Sequence, residues 1–394
     1  MISLKRTEEI LKRLIEYKSI SSNSNLDIVE YIESYLHKFS IGSRRVPDST
    51  GKKASLLASI GPLDRPGVVL SAHTDVVPVE GQAWSSPPFT ATYRDGRVVG
   101  RGATDMKGFI ACVLAQVPRF QESATQTPVH IALSYDEEVG CRGAPDLVAA
   151  VAALPVRPTL CVVGEPTGLK VVRAHKGKVA RRIEVRGRGG HSALPHRAVN
   201  AVVAAARIVS ALAERAERLM QTGPHDAAFD PPWTTLHVGS LHGGSALNLV
   251  PDHAELEFEI RAVPGTDVAA ILADIDTVLG TVRCDLRRQA PEADILVEEI
   301  AAYPALATAT NDAAVVTVAR LAGDNNPPTT VSFGTEAGLY AAAGIPTVVC
   351  GPGDIARAHK ADEWIGLDEL AATDRMMQRL AARLGQPAED WISA

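Results

Sequence analysis

Acidic and imidazole side chains gather where short apolar runs of the chain end. His73-Thr74-Asp75 follows Val68–Ala72, and Asp136-Glu137-Glu138 follows Val129–Tyr135. Glu165 stands in Val162-Val163-Gly164-Glu165-Pro166-Thr167, and His359 lies a little beyond Thr347–Cys350. In extended chain, residues two apart face the same side, so the Asp75 carboxylate is placed to accept a hydrogen bond from one nitrogen of His73 while the other binds a metal. Three successive carboxylates at one strand end repel one another unless a cation is near. If strand geometry persists, Glu137 and Glu138 point in opposite directions, one toward a metal and one free to hold a proton. Asp105, in Gly100-Arg101-Gly102-Ala103-Thr104-Asp105-Met106-Lys107-Gly108, adds a carboxylate on a glycine-rich turn just before a helix. Singly, each of these groups reads more readily as a helix cap, a solvated turn, an exposed charge or a satisfied structural histidine. Jointly they read as a metal cleft. Two imidazoles with three carboxylates suit zinc, cobalt or manganese, and a carboxylate has two oxygens with which to bridge a pair of ions. A metal pair about 3.5–4 Å apart lowers the pKa of a bridging water and polarises an amide carbonyl, leaving a nearby Glu to shuttle the proton. That chemistry is amide hydrolysis.

These groups need a scaffold, and its periodicities are visible. Ile10, Leu11, Leu14 and Ile15 recur at helical spacing after Thr7, read as an N-cap, and Ile28, Val29, Ile32 and Leu36 repeat the pattern. The runs Val68–Ala72, Val129–Tyr135, Leu160–Val163 and Thr347–Cys350 alternate with helical stretches around Phe109–Val117, Ala144–Leu154 and Glu336–Ala343, and with an amphipathic helix from near Leu367. This predicts an α/β domain with a mostly parallel central sheet, whose strand carboxyl ends form the ligand site. The middle of the chain differs. Lys178–Arg186 and Ala254–Ala262 alternate apolar and charged residues, a long helical run spans Arg197–Met220, and a second helix lies near Val268–Leu279. An α+β module of residues 173–288, inserted into a catalytic domain of residues 1–172 and 289–394, accounts for both patterns.

Composition narrows the function classes. Of 394 residues, 46 % are hydrophobic and 22 % charged, ordinary for a folded two-domain protein, and Lys+Arg 40 against Asp+Glu 46 leaves a net charge of −6. Nothing there attracts a phosphate backbone, so nucleic acid is not an expected partner. Met1–Arg6 passes into Thr7-Glu8-Glu9 without an apolar secretory stretch, and the apolar region from Ala198 to Ala213 is broken by Asn200 and Arg207. A cytoplasmic location without a membrane segment is expected. Cys112, Cys141, Cys161, Cys284 and Cys350 form no Cys-x-x-Cys pair and read as buried free thiols in a reducing compartment. Phosphate-loop, dinucleotide, His-Glu-x-x-His and Gly-x-Ser-x-Gly motifs are absent, and the glycines of 187–195 read as turn residues.

The motifs Ser71-Ala-His-Thr-Asp-Val-Val77, Gly100–Gly108, Asp136-Glu-Glu-Val-Gly140, Gly164-Glu-Pro166, Gly190-His-Ser192 and Ala358-His-Lys360 together resemble the dinuclear-zinc family that contains acetylornithine deacetylase, succinyl-diaminopimelate desuccinylase, aminoacylase and carboxypeptidase G2. The resemblance covers nearly the whole chain. It implies a zinc-peptidase-like catalytic domain with an inserted dimerisation or lid domain, and two divalent ions per subunit, zinc foremost. It further implies that Asp105 bridges the ions, with His73 and Glu165 at one site and Glu138 and His359 at the other. Glu137 is then the general base, Asp75 orients His73, and His191 reaches into the partner subunit's cleft of a homodimer to stabilise the oxyanion. Asn248 and Arg261 resemble lid residues that hold a substrate α-carboxylate, alongside the alternative of a surface turn and a strand-edge charge. Tyr135–Cys141, Phe333–Gly338 and Val348–Gly353 are most similar to the acetylornithine deacetylase branch, which implies hydrolysis of N2-acetyl-L-ornithine to L-ornithine and acetate in arginine biosynthesis. Glu336 would face the ornithine side-chain amine, or simply occupy a helix N-terminus. Ala361 stands where that branch usually has proline. The alternatives are a hydrolase of the same family for another N-acyl amino acid, N-succinyl-diaminopimelate or a dipeptide, and a metal-free binding protein.

Overall fold

A computed structural model describes residues 2–392. The chain divides into two compact units. The larger comprises the chain up to Ala174, Leu306–Thr330 and the chain from Thr335 onward; the smaller is His175–Ala305 with Val331–Gly334. The smaller unit therefore extends past the expected limit of residue 288. The helix expected near Val268–Leu279 runs to Gln289, because Val282 and Leu286 continue the buried stripe of Ile271, Ile275 and Leu279. The chain then returns as Asp294–Tyr303, which pairs antiparallel with Gly177–Arg186.

The larger unit is built on a nine-stranded sheet. Its strands here are β1 (Ser43–Pro47), β2 (Ala54–Ile60), β3 (Val68–His73), β4 (Val129–Ser134), β5 (Leu160–Val163) and β6 (Thr347–Val349), in the spatial order β1-β2-β4-β3-β5-β6. The centre, β4-β3-β5-β6, is parallel, whereas β1, β2 and the strand Val172–His175 beside β6 pair antiparallel. Every residue of β3, β4, β5 and β6 is buried, as a sheet covered on both faces requires. Because the four run the same way, their carboxyl ends open on one edge, and His73, Asp136–Glu138, Glu165 and His359 all leave from that edge.

The first helix, Ile2–Glu16, buries Ile10, Leu11, Leu14 and Ile15. It begins before Thr7, so Thr7 is not its cap. The Thr7 side chain is fully buried, and its hydroxyl donates to Asp374 at 2.9 Å instead. Gly108–Ala115, all eight residues buried, packs inside the same core.

The smaller unit is an antiparallel sheet in the order Thr235–Gly243, His253–Ala262, Gly177–Arg186, Asp294–Tyr303, with a core shared by the helices Ala201–Thr222 and Val268–Gln289. Strict alternation along His253–Ala262 buries Ala254, Leu256, Phe258, Ile260 and Ala262. The first helix starts at Ala201, later than its apolar pattern, because the Asn200 side chain accepts the Val203 N–H at 3.0 Å and caps it there. Four cysteines are buried, but Cys284 is exposed on the second helix, against the expectation for all five. No helix among the described residues is long and apolar enough to cross a membrane.

Candidate metal centre

At the end of β3 the His73 ring is 1 % exposed, and its Nδ1 lies 2.9 Å from the Asp75 backbone carbonyl. A carbonyl only accepts, so Nδ1 carries the hydrogen and Nε2 is the nitrogen that faces the acid cluster. The Asp75 carboxylate stands further off, at 3.5 Å. Its own partners are the Ser21 hydroxyl at 2.7 Å and the backbone N–H groups of Glu137 and Glu138 at 3.1 and 3.3 Å. Asp75 thus orients His73 chiefly through its carbonyl and uses its carboxylate to hold the next loop.

That loop follows β4. Asp136 adopts φ +54°, which ends the strand, and its carboxylate turns away to Lys53 at 2.6 Å. Only two of the three consecutive carboxylates therefore enter the cluster. With the strand ended, Glu137 and Glu138 do not point oppositely; each forms part of a triad with His73, one with Glu165 and one with Asp105, ligand atoms within 4.8 Å of one another. Glu165 is delivered by β5 through Gly164, where a Cβ would lie 2.1 Å from the Phe109 ring, so any side chain there would force the ring to shift. Asp105 comes from the turn before Gly108–Ala115, where Gly102 takes φ +79°.

Asp105 is the centre of the arrangement. Its Oδ1 lies 3.0 Å from His73 Nε2, and its Oδ2 lies 3.2 Å from His359 Nε2. His359 Nε2 is also 2.9 Å from Glu138 Oε2, and His73 Nε2 is 3.9 Å from Glu165 Oε1. Burial opposes ionisation of Asp105, but the two imidazoles outweigh it and hold its carboxyl well below the ordinary carboxylate range. Burial likewise opposes charging of His73, yet the Asp105 and Asp75 carboxylates raise its pKa well above the usual value. Hydrogen bonds to Asp105 and Glu138 push His359 up to about 10. Withdrawal from water, reinforced by neighbouring carboxylates and partly offset by His73, brings Glu137 up to about 8; withdrawal from water and the Asp105 carboxylate, partly offset by His359 and His73, bring Glu138 to about 7. Glu165 is raised for the same reasons as Glu137.

This donor set fits a pair of divalent ions. Glu165 Oε1 is buried without a hydrogen-bond partner, a costly state that a cation removes. Two oxygens of one carboxylate facing two separate imidazoles match a bridging ligand, and the nitrogen–oxygen set suits zinc. A family model described as Peptidase family M20/M25/M40 matches residues 69–383. The chain belongs to that family. An acetylornithine deacetylase from Proteus mirabilis (strain HI4320) is 33 % identical over 383 residues, covering 94 % of this chain and 95 % of its own. In structure, an M20 family metallo-carboxypeptidase from Sulfolobus solfataricus is similar with TM-score 0.77 at 17 % identity, covering 96 % of this chain and 99 % of its own. A dinuclear metal-binding M20 peptidase from Bacillus subtilis is similar with TM-score 0.63 at 17 % identity, over 98 % of this chain and 99 % of its own. The M20 chain is an enzyme, a hydrolase with candidate metal-binding side chains at its strand ends.

The residues expected to meet the substrate are placed differently. Glu336, at the start of the helix Ala337–Ala342, is 1 % exposed, and its carboxylate accepts the hydroxyls of Ser71 and Ser134, each at 2.6 Å. It is an interior acceptor rather than an open contact for a substrate amine, because this helix start tucks against the ends of β3 and β4. His191, Asn248 and Arg261 belong to the smaller unit. The exposed His191 sits opposite Leu249 in a two-strand ribbon, and the Asn248 carbonyl accepts the Ser192 N–H at 3.1 Å, so these two are neighbours. The Arg261 guanidinium is engaged by Glu259 at 3.0 and 3.2 Å and by the Tyr303 hydroxyl at 3.2 Å. Ser21 and Lys53, which hold Asp75 and turn Asp136 aside, carry no motif that singles them out in sequence; only long-range contact reveals them.

Proposed function

We propose that this M20 hydrolase removes the acyl group from the α-nitrogen of an amino acid, with N2-acetyl-L-ornithine as its substrate. The division of Asp105 between the two imidazoles carries the reading of the chemistry. The substrate rests on the name of the relative at 33 % identity over 94 % of the chain.

His73, Glu165, Glu138 and His359, with Asp105 shared, are the residues that would hold two divalent ions, zinc foremost. When bound, such a pair supplies an activated water and a polarised acyl carbonyl. Glu137 supplies the proton transfer. Beside the cations its carboxylate would ionise, take the proton of the attacking water and return it to the leaving α-amine. The Cys141 thiol, 3.5 Å from Glu137 Oε1, limits where that carboxylate swings. Asp75 holds the backbone of both glutamates. In this reading the smaller unit, His175–Ala305 with Val331–Gly334, joins two chains into a homodimer, His191 of the partner subunit stabilises the tetrahedral oxyanion, and Asn248 and Arg261 receive the substrate carboxylate.

An amine-release assay on zinc- or cobalt-loaded protein tests the substrate. The expected result is a kcat/KM for N2-acetyl-L-ornithine about tenfold or more above that for N-succinyl-L,L-diaminopimelate. The reverse preference would make the protein a desuccinylase, and turnover of neither would remove the assignment.

A further inference from the structure

Glu363, four residues beyond His359, is 1 % exposed, and both its oxygens are fully used. Oε1 accepts the backbone N–H groups of Thr104 at 2.9 Å and Asp105 at 3.0 Å. Oε2 accepts the N–H of Gly102 at 2.9 Å and the Arg101 guanidinium at 2.8 Å. A carboxylate offers about four lone-pair positions, and here all are taken. Backbone N–H groups wrapped around one anion hold a turn in one conformation, and this turn carries Asp105.

The segment that supplies the anion also carries His359. Arg101, itself 1 % exposed, ties the two together further: its guanidinium donates to the carbonyls of Lys360 and Pro78, each at 3.3 Å, and to the Gln82 side chain. Gln82 Nε2 in turn donates to the His359 carbonyl at 2.9 Å. The backbones of Asp105 and His359, far apart in sequence, are thus locked through one buried ion pair. Burying such a pair is expensive, and its attested use is to specify one arrangement rather than to add stability.

We propose that Glu363 is a positioning residue for the metal centre: it fixes the Asp105 turn and the His359 segment relative to each other, so that the carboxylate shared by two imidazoles is aimed before any ion arrives. The inference rests on the metal reading above. Partners of this kind, one shell behind the ligands, commonly govern about 10–100-fold in metal affinity.

Glu363→Gln preserves size but keeps one oxygen, and turns an NH2 group toward two of the four donors. Metal-free wild type and variant would be titrated with zinc in competition with a chromophoric chelator, and with cobalt while the visible spectrum is recorded. The expected result is zinc affinity lower by about 10–100-fold and an altered cobalt spectrum, with the far-UV circular dichroism of the metal-free protein unchanged. Affinity within about threefold of wild type with an identical cobalt spectrum would overturn the proposal, being below the range expected of such partners. Should that variant not fold, Arg101→Lys keeps the charge but loses the guanidinium's reach to Lys360 and Pro78. It is expected to bind zinc several-fold more weakly, and unchanged binding would overturn the proposal equally. Wild type that takes up fewer than two zinc ions would sink the metal reading and this inference with it, whereas normal wild type with an unaffected variant sinks the role of Glu363 alone.

Discussion

Glu137 and Glu138 are neighbours in sequence, yet the turn at Asp136 assigns them to different halves of one cluster. In the proposed mechanism Glu137 is the base and need not bind an ion. Glu137→Gln is expected to lower kcat by about 10²–10⁴ while zinc content stays at the wild-type level; turnover within a few-fold of wild type would remove Glu137 from the mechanism. A second expectation concerns protons. Among the candidate ligands without metal, His359 at about 10 and the raised His73 and Glu165 hold protons at neutral pH, and Glu138 at about 7 is about half protonated. An ion must displace them, so binding releases protons and the apparent affinity rises with pH. Calorimetric zinc titrations in buffers of different ionisation heat would show this as net proton release at pH 7, and a buffer-independent heat would contradict it. At this scale the metal-ligand candidates were legible from residue type and strand-end position. The sequence reading failed where a single dihedral angle decided direction, as at Asp136, and where a carboxylate found interior partners, as Glu336 did with Ser71 and Ser134.

The four parallel strands put the candidate ligands on one edge, and close packing behind them sets how exactly each is delivered. Gly164 is the clearest instance, since its missing Cβ makes room for Phe109. Gly164→Ala is expected to destabilise the fold by about 1–3 kcal/mol, the usual cost of overpacking a core, read as a lower urea midpoint; an unchanged midpoint would contradict the contact. Strands β3, β4, β5 and β6 were legible because burial on both faces leaves continuous apolar runs. Asp294–Tyr303 was not, because it lies at the edge of a half-exposed sheet and carries Glu298 and Glu299 in its middle. Thr7 misled for a related reason: a hydroxyl before an apolar stripe looks like a cap, whereas its partner, Asp374, lies 367 residues away. The clamp of Glu363 on the Asp105 turn is equally non-local, and no spacing rule reaches it.

For the molecule as a whole, the proposed homodimer is a sedimentation experiment: the expected mass is about twice that of one chain, as for a two-fold dimer, and a monomer under assay conditions would contradict it. If His191 acts across the dimer, mixing inactive His191→Ala and Glu137→Ala chains restores up to about a quarter of wild-type activity through random re-pairing, while no recovery would place His191 outside the partner's site. The two-unit architecture was legible from the change in hydrophobic period, but not where the smaller unit ends, because the decisive strand pairing is long-range. The most direct test of the metal centre is the zinc content of Asp105→Ala beside wild type, both loaded and desalted identically. Wild type is expected to retain two ions per chain and Asp105→Ala neither, because one carboxylate faces both imidazoles; a variant that kept two ions would contradict the shared role of Asp105.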